Sequence, residues 1–101
     1  MRKPNLERPH PVGFGVQKIY RFENGYGASV VRFKCSTGDY GSYTVDETEW
    51  ELAVLRFEGK DITDFDLEYS TPITDNVLGH LSDSEVDEIL GQIERLPKMV
   101  K

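Results

Sequence analysis

The residue types that could carry chemistry are few, and their spacing argues against most of it. Asp61, Asp64, Asp66 and Glu68 are dense enough to suggest a cation loop, but they lack the D-x-D-x-D-G pattern and its turn glycine. Alternation with Phe65 and Leu67 makes them the wet face of a strand instead. His10 and His80 are far apart, so no metal-ligand spacing is present. Cys35 is the only cysteine; it forms no internal disulfide, and it reads as a small buried hydrophobe in a protein of a reducing cytoplasm. No base lies near it, and no other nucleophile–base pair is evident. Carboxylates are plentiful, but nothing in the sequence sets two of them across a cleft. The segment Gly38–Tyr43 holds no Lys and is not a P-loop. His80, beside Gly79, reads as a helix-end residue. The expectation is therefore no catalytic residue, no metal and no cofactor.

The chain that positions these residues is organised around one C-terminal helix, from Leu81 to Pro97. Ser82 and Glu85 form the capping box S-x-x-E, and Leu81 and Val86 are placed to staple it. Val86, Ile89, Leu90, Ile93 and Leu96 follow at spacings of three and four, one apolar stripe. Asp83, Glu85, Asp87 and Glu88 suit the positive end of the helix dipole, Arg95 and Lys98 the negative end. Pro97 stops the helix. Gly91 is its weak point, and suggests close approach to a strand.

Ahead of the helix, residues 1–13 hold three prolines and read as a flexible basic tail. Residues 14–97 form the single domain, and 98–101 a short C-terminal tail. Phe14–Cys35 reads as a hairpin about Asn24-Gly25. A two-residue type I′ turn pairs Tyr20 with Ser29 and Lys18 with Val31. Residues 36–48 are a polar loop. Glu49–Phe57 is a third strand and Asp61–Tyr69 a fourth. Thr74 or Asp75 would then cap a single helical turn over 76–81. The expected fold class is α+β: a four-stranded antiparallel β-meander with one C-terminal α-helix packed on one face. Its core would hold Tyr20, Phe22, Val31, Phe33, Trp50, Leu52, Val54, Phe65, Leu67, Val86, Ile89, Leu90 and Ile93.

On that register the outer face of the sheet is mixed. Arg32 and Lys34 would pair with Glu49 and Glu51, and Asp64, Asp66 and Glu68 would extend an acidic face. Ile19, Val30, Leu55 and Phe57 would form an apolar patch beside them that something must cover. A second copy of the chain, another protein and the N-terminal segment are the candidates; a β-bulge near Val54, turning Leu55 and Phe57 inward, is the alternative. Tyr40 and Tyr43 either join that binding surface or fold back on the sheet edge.

The chain has 101 residues, enough for one core, and a net charge of −6. Residues 1–35 carry seven Lys/Arg and two Asp/Glu, a balance of +5, while residues 36–101 carry five and sixteen, a balance of −11. No apolar run approaches the ~20 residues of a membrane span, and no apolar stretch marks a secretion signal at the N-terminus. The aromatics alternate with core aliphatics and not with basic residues, which argues against direct nucleic-acid binding.

Tyr20-Arg-Phe-Glu-Asn-Gly-Tyr-Gly-Ala-Ser-Val-Val31, Trp50-Glu-Leu-Ala-Val-Leu55, Thr71-Pro-Ile-Thr-Asp75 and the capped helix together resemble small uncharacterised proteins encoded by tailed bacteriophages and prophages. The resemblance spans about residues 18–96. It implies a compact phage accessory protein in the host bacterial cytoplasm and carries no site residues with it. The leading expectation is a non-enzymatic protein that binds a host or phage protein. Two alternatives remain: an acidic mimic of nucleic acid that inhibits a host nucleic-acid-binding enzyme, and a small hydrolase or metal-dependent enzyme.

Overall fold

The computed structural model describes residues 1–98, so the expected C-terminal tail lies, from residue 99 on, outside the described residues. The elements are β1 (Leu6–Pro9), β2 (Phe14–Arg21), β3 (Tyr26–Lys34), β4 (Trp50–Phe57), β5 (Phe65–Leu67), β6 (Leu78–Leu81) and α1 (Asp83–Glu94). All pairings are antiparallel, in the order β1-β2-β3-β4-β5, with β6 also paired to β4. The α+β class and the C-terminal helix agree with the sequence. The sheet has six strands rather than four, because the N-terminal segment adds β1 beside β2 and a further short strand, β6, shares the far edge of β4 with β5. β5 meets its Leu55–Phe57 end and β6 its Trp50–Leu52 end. The helical turn expected over 76–81 is replaced by β6.

The hairpin differs by one residue from a type I′ register, and the turn shows why. Gly25 N–H donates to Phe22 O (3.2 Å) and Phe22 N–H to Tyr26 O (2.8 Å), closing a three-residue loop. Gly25 has φ +92°, whereas Asn24 is not left-handed. That is a type I turn completed by a glycine bulge, the next commonest hairpin connection. Tyr20 therefore pairs with Ala28, not Ser29, and β3 turns over relative to β2. Asn24 is buried, and its amide donates to the carbonyls of Ile93 (2.8 Å), Glu94 (3.3 Å) and Leu96 (3.1 Å). The turn residue thus caps the C-terminal end of α1, where carbonyls lack partners.

The register divides the core in two. Under α1, Tyr20, Ala28, Val30, Trp50, Leu52 and Val54 pack with Leu81, Val86, Leu90 and Ile93. On the opposite face Ile19, Leu55 and Phe57 are buried beneath Leu6, Ile62 and Phe65. No bulge turns Leu55 and Phe57 inward; the chain covers them where they stand. Val31 is buried on that opposite face, Phe33 is half-buried there, and Leu67 is exposed. The capping box is present in both directions: Ser82 Oγ accepts Glu85 N–H at 3.2 Å, and Glu85 accepts Ser82 N–H at 3.0 Å. Gly91 approaches no strand; a Cβ there would meet only the Arg95 side chain.

Residues 1–13 are not a free tail. β1 is an edge strand of the sheet, Arg2 N–H donates to Asp87 of α1 (2.7 Å), and the Tyr20 hydroxyl donates to Arg2 O (2.6 Å). His10 N–H donates to Gly15 O. By the alternation of an antiparallel ladder, the neighbouring Pro9 nitrogen faces away from β2 and leaves that edge position without a donor. No described helix is long and apolar enough to cross a membrane.

Candidate interaction surface

The residues expected to form an outer apolar patch do not form one. Ile19 and Leu55 are fully buried and Phe57 nearly so, under Leu6, Ile62 and Phe65. Val30 is buried on the other face, beneath α1, because of the one-residue change in register. These four are core, not contact surface. The two tyrosines separate as well. Tyr40 folds back on the sheet edge through a bridge to Lys34, whose ammonium lies 4.9 Å from the Tyr40 ring centroid. Tyr43 is exposed, its N–H on the Glu51 carboxylate (3.1 Å) and its carbonyl receiving His80 N–H (2.8 Å).

The acidic residues are drawn into separate local contacts. Asp66 and Glu68 pair with Arg56, at 3.6 and 3.8 Å, together with Glu58 at 2.8 Å. Glu49 accepts Val45 N–H and contacts His80 Nδ1, both at 2.9 Å. His80 is also the one described non-glycine residue with positive φ. Glu51 is half-buried, and burial raises its pKa against the single hydrogen bond from Tyr43. Asp64 is exposed. No ion pair joins Arg32 or Lys34 to Glu49 or Glu51. Cys35, expected inside, is exposed beyond the end of β3. Among the described residues no group of three or more His, Cys, Asp or Glu is placed to hold a metal ion.

What the sequence did not bring forward is the open end of the β2–β3 hairpin. Its scaffold is built round Phe33. The His10 ring stacks on it, centroids 3.9 Å apart at 18°. Cβ atoms at Gly13 and Gly41 would fall 2.3 and 2.4 Å from its ring, so only glycine lets both segments close on it. His10 Nδ1 accepts the N–H groups of Val12 (3.2 Å) and Gly13 (2.8 Å). Burial, then Arg8, lower the His10 pKa, which favours the neutral ring that this acceptor role requires. The turn so fixed presents Val12 (90% exposed) and Phe14 (72% exposed) to solvent.

Behind Phe14 lies a depression of about 270 Å³ lined by Phe14, Gly15, Val16, Arg32, Phe33, Lys34, Tyr40 and Glu47. At Gly15 the backbones approach so closely that a Cβ would lie 2.0 Å from Arg32 O. The Arg32 guanidinium stands 4.1 Å from the Trp50 ring centroid and donates to Glu47 O. Among the described residues neither Arg32 nor Lys34 is in an ion pair, while Arg2, Lys18 and Arg56 are. A second depression, about 460 Å³, lies at the turn end of the hairpin and includes Arg21, Phe57 and Lys60. Its Arg21 already donates to Gly59 O and Lys60 O and covers the Phe57 ring at 4.8 Å. The first depression is thus the one that joins a large exposed apolar side chain, Phe14, to cations in no ion pair among the described residues.

No family model, curated protein or solved structure matches this chain.

Proposed function

We propose that this is a small non-enzymatic protein that works by binding another protein, through the Val12–Phe14 turn and the depression walled by Arg32, Lys34 and Tyr40. The observation that carries the reading is the exposure of Phe14 in the wall of that depression, with Val12 exposed on the turn before it, in a molecule that covers its Ile19–Leu55–Phe57 cluster with its own chain. Phe14 contributes little to the core at that exposure, whereas interfaces concentrate aromatic and Arg side chains around a pocket. The resemblance to phage and prophage proteins extends the proposal: the partner is a host or phage protein in the bacterial cytoplasm. The acidic-mimic reading has less support, since Glu49, Glu51, Asp66 and Glu68 are bound to His80, Tyr43 and Arg56 and do not form an open array. The hydrolase reading has less support, since the sequence offers no evident nucleophile–base pair.

The test is a tagged pull-down from host lysate with wild type, Phe14→Ser and Tyr40→Ser. The variants are expected to keep the wild-type circular dichroism and melting temperature to within a few degrees and to lose the retained protein. Retention by Phe14→Ser at the wild-type level would remove this surface from the reading.

A further inference from the structure

Resting on the interaction reading above, we infer that the hairpin-end depression takes an acidic segment of the partner: one apolar side chain seated against Phe14, Val16 and Tyr40, with flanking carboxylates on Arg32 and Lys34. The size fits. About 270 Å³ is below the usual range for small-molecule pockets, roughly 300–1,000 Å³, and suits a single anchoring side chain. The charge fits. Neither Arg32 nor Lys34 is in an ion pair among the described residues, Asp46 lying near Arg32 without pairing with it, and each is held beside an aromatic ring, 4.1 Å from Trp50 and 4.9 Å from Tyr40. A cation already ordered by a ring gives up less side-chain freedom when a carboxylate arrives. Glu47, also on the rim, disfavours a continuous run of phosphates. A second copy meeting this surface face to face would set Arg32 and Lys34 against themselves. Strand addition on the neighbouring β1 edge is hindered by Pro9. Side-chain anchoring by an acidic partner segment satisfies each of these constraints.

The experiment is a ¹⁵N NMR titration of the full chain with a blocked peptide, Asp-Glu-Phe-Asp-Glu. Three controls accompany it: Asp-Glu-Ala-Asp-Glu, Lys-Lys-Phe-Lys-Lys and a thymidine oligonucleotide. The expected result is saturable shifts at the amides of Phe14, Gly15, Arg32, Lys34 and Tyr40, with about tenfold weaker binding of the alanine and lysine peptides. Lys34→Glu should weaken the acidic peptide about tenfold or more. Lys34 is exposed and leaves the core alone, whereas Arg32 covers Trp50, so Lys34→Glu is the decisive variant. Absence of shifts at millimolar acidic peptide, equal binding of the lysine peptide, or stronger binding of the oligonucleotide would each overturn the inference. The two readings fail separately: if Phe14→Ser abolishes partner capture but Lys34→Glu leaves it and its salt dependence unchanged, the surface stands and its acidic ligand does not.

Discussion

At the scale of single residues, Asn24 and Tyr20 do more than their sequence positions announce. Asn24 sits in a turn motif, yet its amide donates to three carbonyls at the end of α1 while its oxygen accepts Tyr26 N–H at 3.0 Å. Asn24→Ala removes the donor shared by these carbonyls, of which Ile93 O keeps the Leu96 N–H (3.1 Å), and costs about 0.5–1.5 kcal/mol. Asn24→Asp is expected to cost more, because it sets a negative charge at the negative end of the helix dipole. Urea denaturation of the two variants gives the order. The Tyr20 phenol is pushed up to about 12 by its burial, then by the Asp87 carboxylate. Its ordinary value is about 10. The folded form holds the proton more tightly, so Tyr20's share of stability is intact below pH 10 and is lost as the pH rises towards 12. In a spectrophotometric titration one of the five tyrosines should ionise late, and Tyr20→Phe should flatten the fall in stability across that window.

At the scale of elements, the local rules in the sequence describe α1 well and the sheet only in part. The capping box and the stripe Val86–Leu90–Ile93 depend on spacing within one segment, and both are present, with Leu81 in the same core cluster as Val86. The hairpin was legible as a hairpin, but its register turns on a choice between a two- and a three-residue loop. That choice involves the end of a helix some seventy residues away, which no local pattern encodes. Val30 and Val31 exchange faces for this reason. The strand expected over Asp61–Tyr69 shortens to β5, and β6 went unseen, because the two divide the far edge of β4 between them. The hairpin-end depression was hidden for a related reason: Phe14 and Tyr40 lie far apart in the sequence and line one depression only where Lys34 bridges to Tyr40. Leu55 gives the clearest element-scale test. Read as surface, it tolerates serine; buried at 0% exposure, it does not. Leu55→Ala is expected to destabilise by about 2–5 kcal/mol, measured by the shift in denaturation midpoint.

At the scale of the whole molecule, the N-terminal segment changes role from tail to clasp. Leu6 covers the Ile19–Leu55–Phe57 cluster, while Arg2 reaches α1 through Asp87 and Glu94 (3.1 Å) on the other side of the sheet. Deleting residues 1–9 is therefore expected to lower stability by roughly 2 kcal/mol or more, since burying one leucine contributes about that much. It should also induce self-association visible by sedimentation velocity; a deletion with wild-type stability would return the segment to a tail. The clasp ends in Pro9, and that residue bears on how the molecule keeps company. A free strand edge invites any extended chain to join it, and such unions are durable because each added residue contributes a backbone bond. With a proline at the outward position, that indiscriminate route is hindered. On the reading proposed above, what remains is a partner gripped by a few side chains, each able to let go separately. Such a molecule would be suited to brief, exchangeable company, and to meeting wrong chains without being captured along that edge.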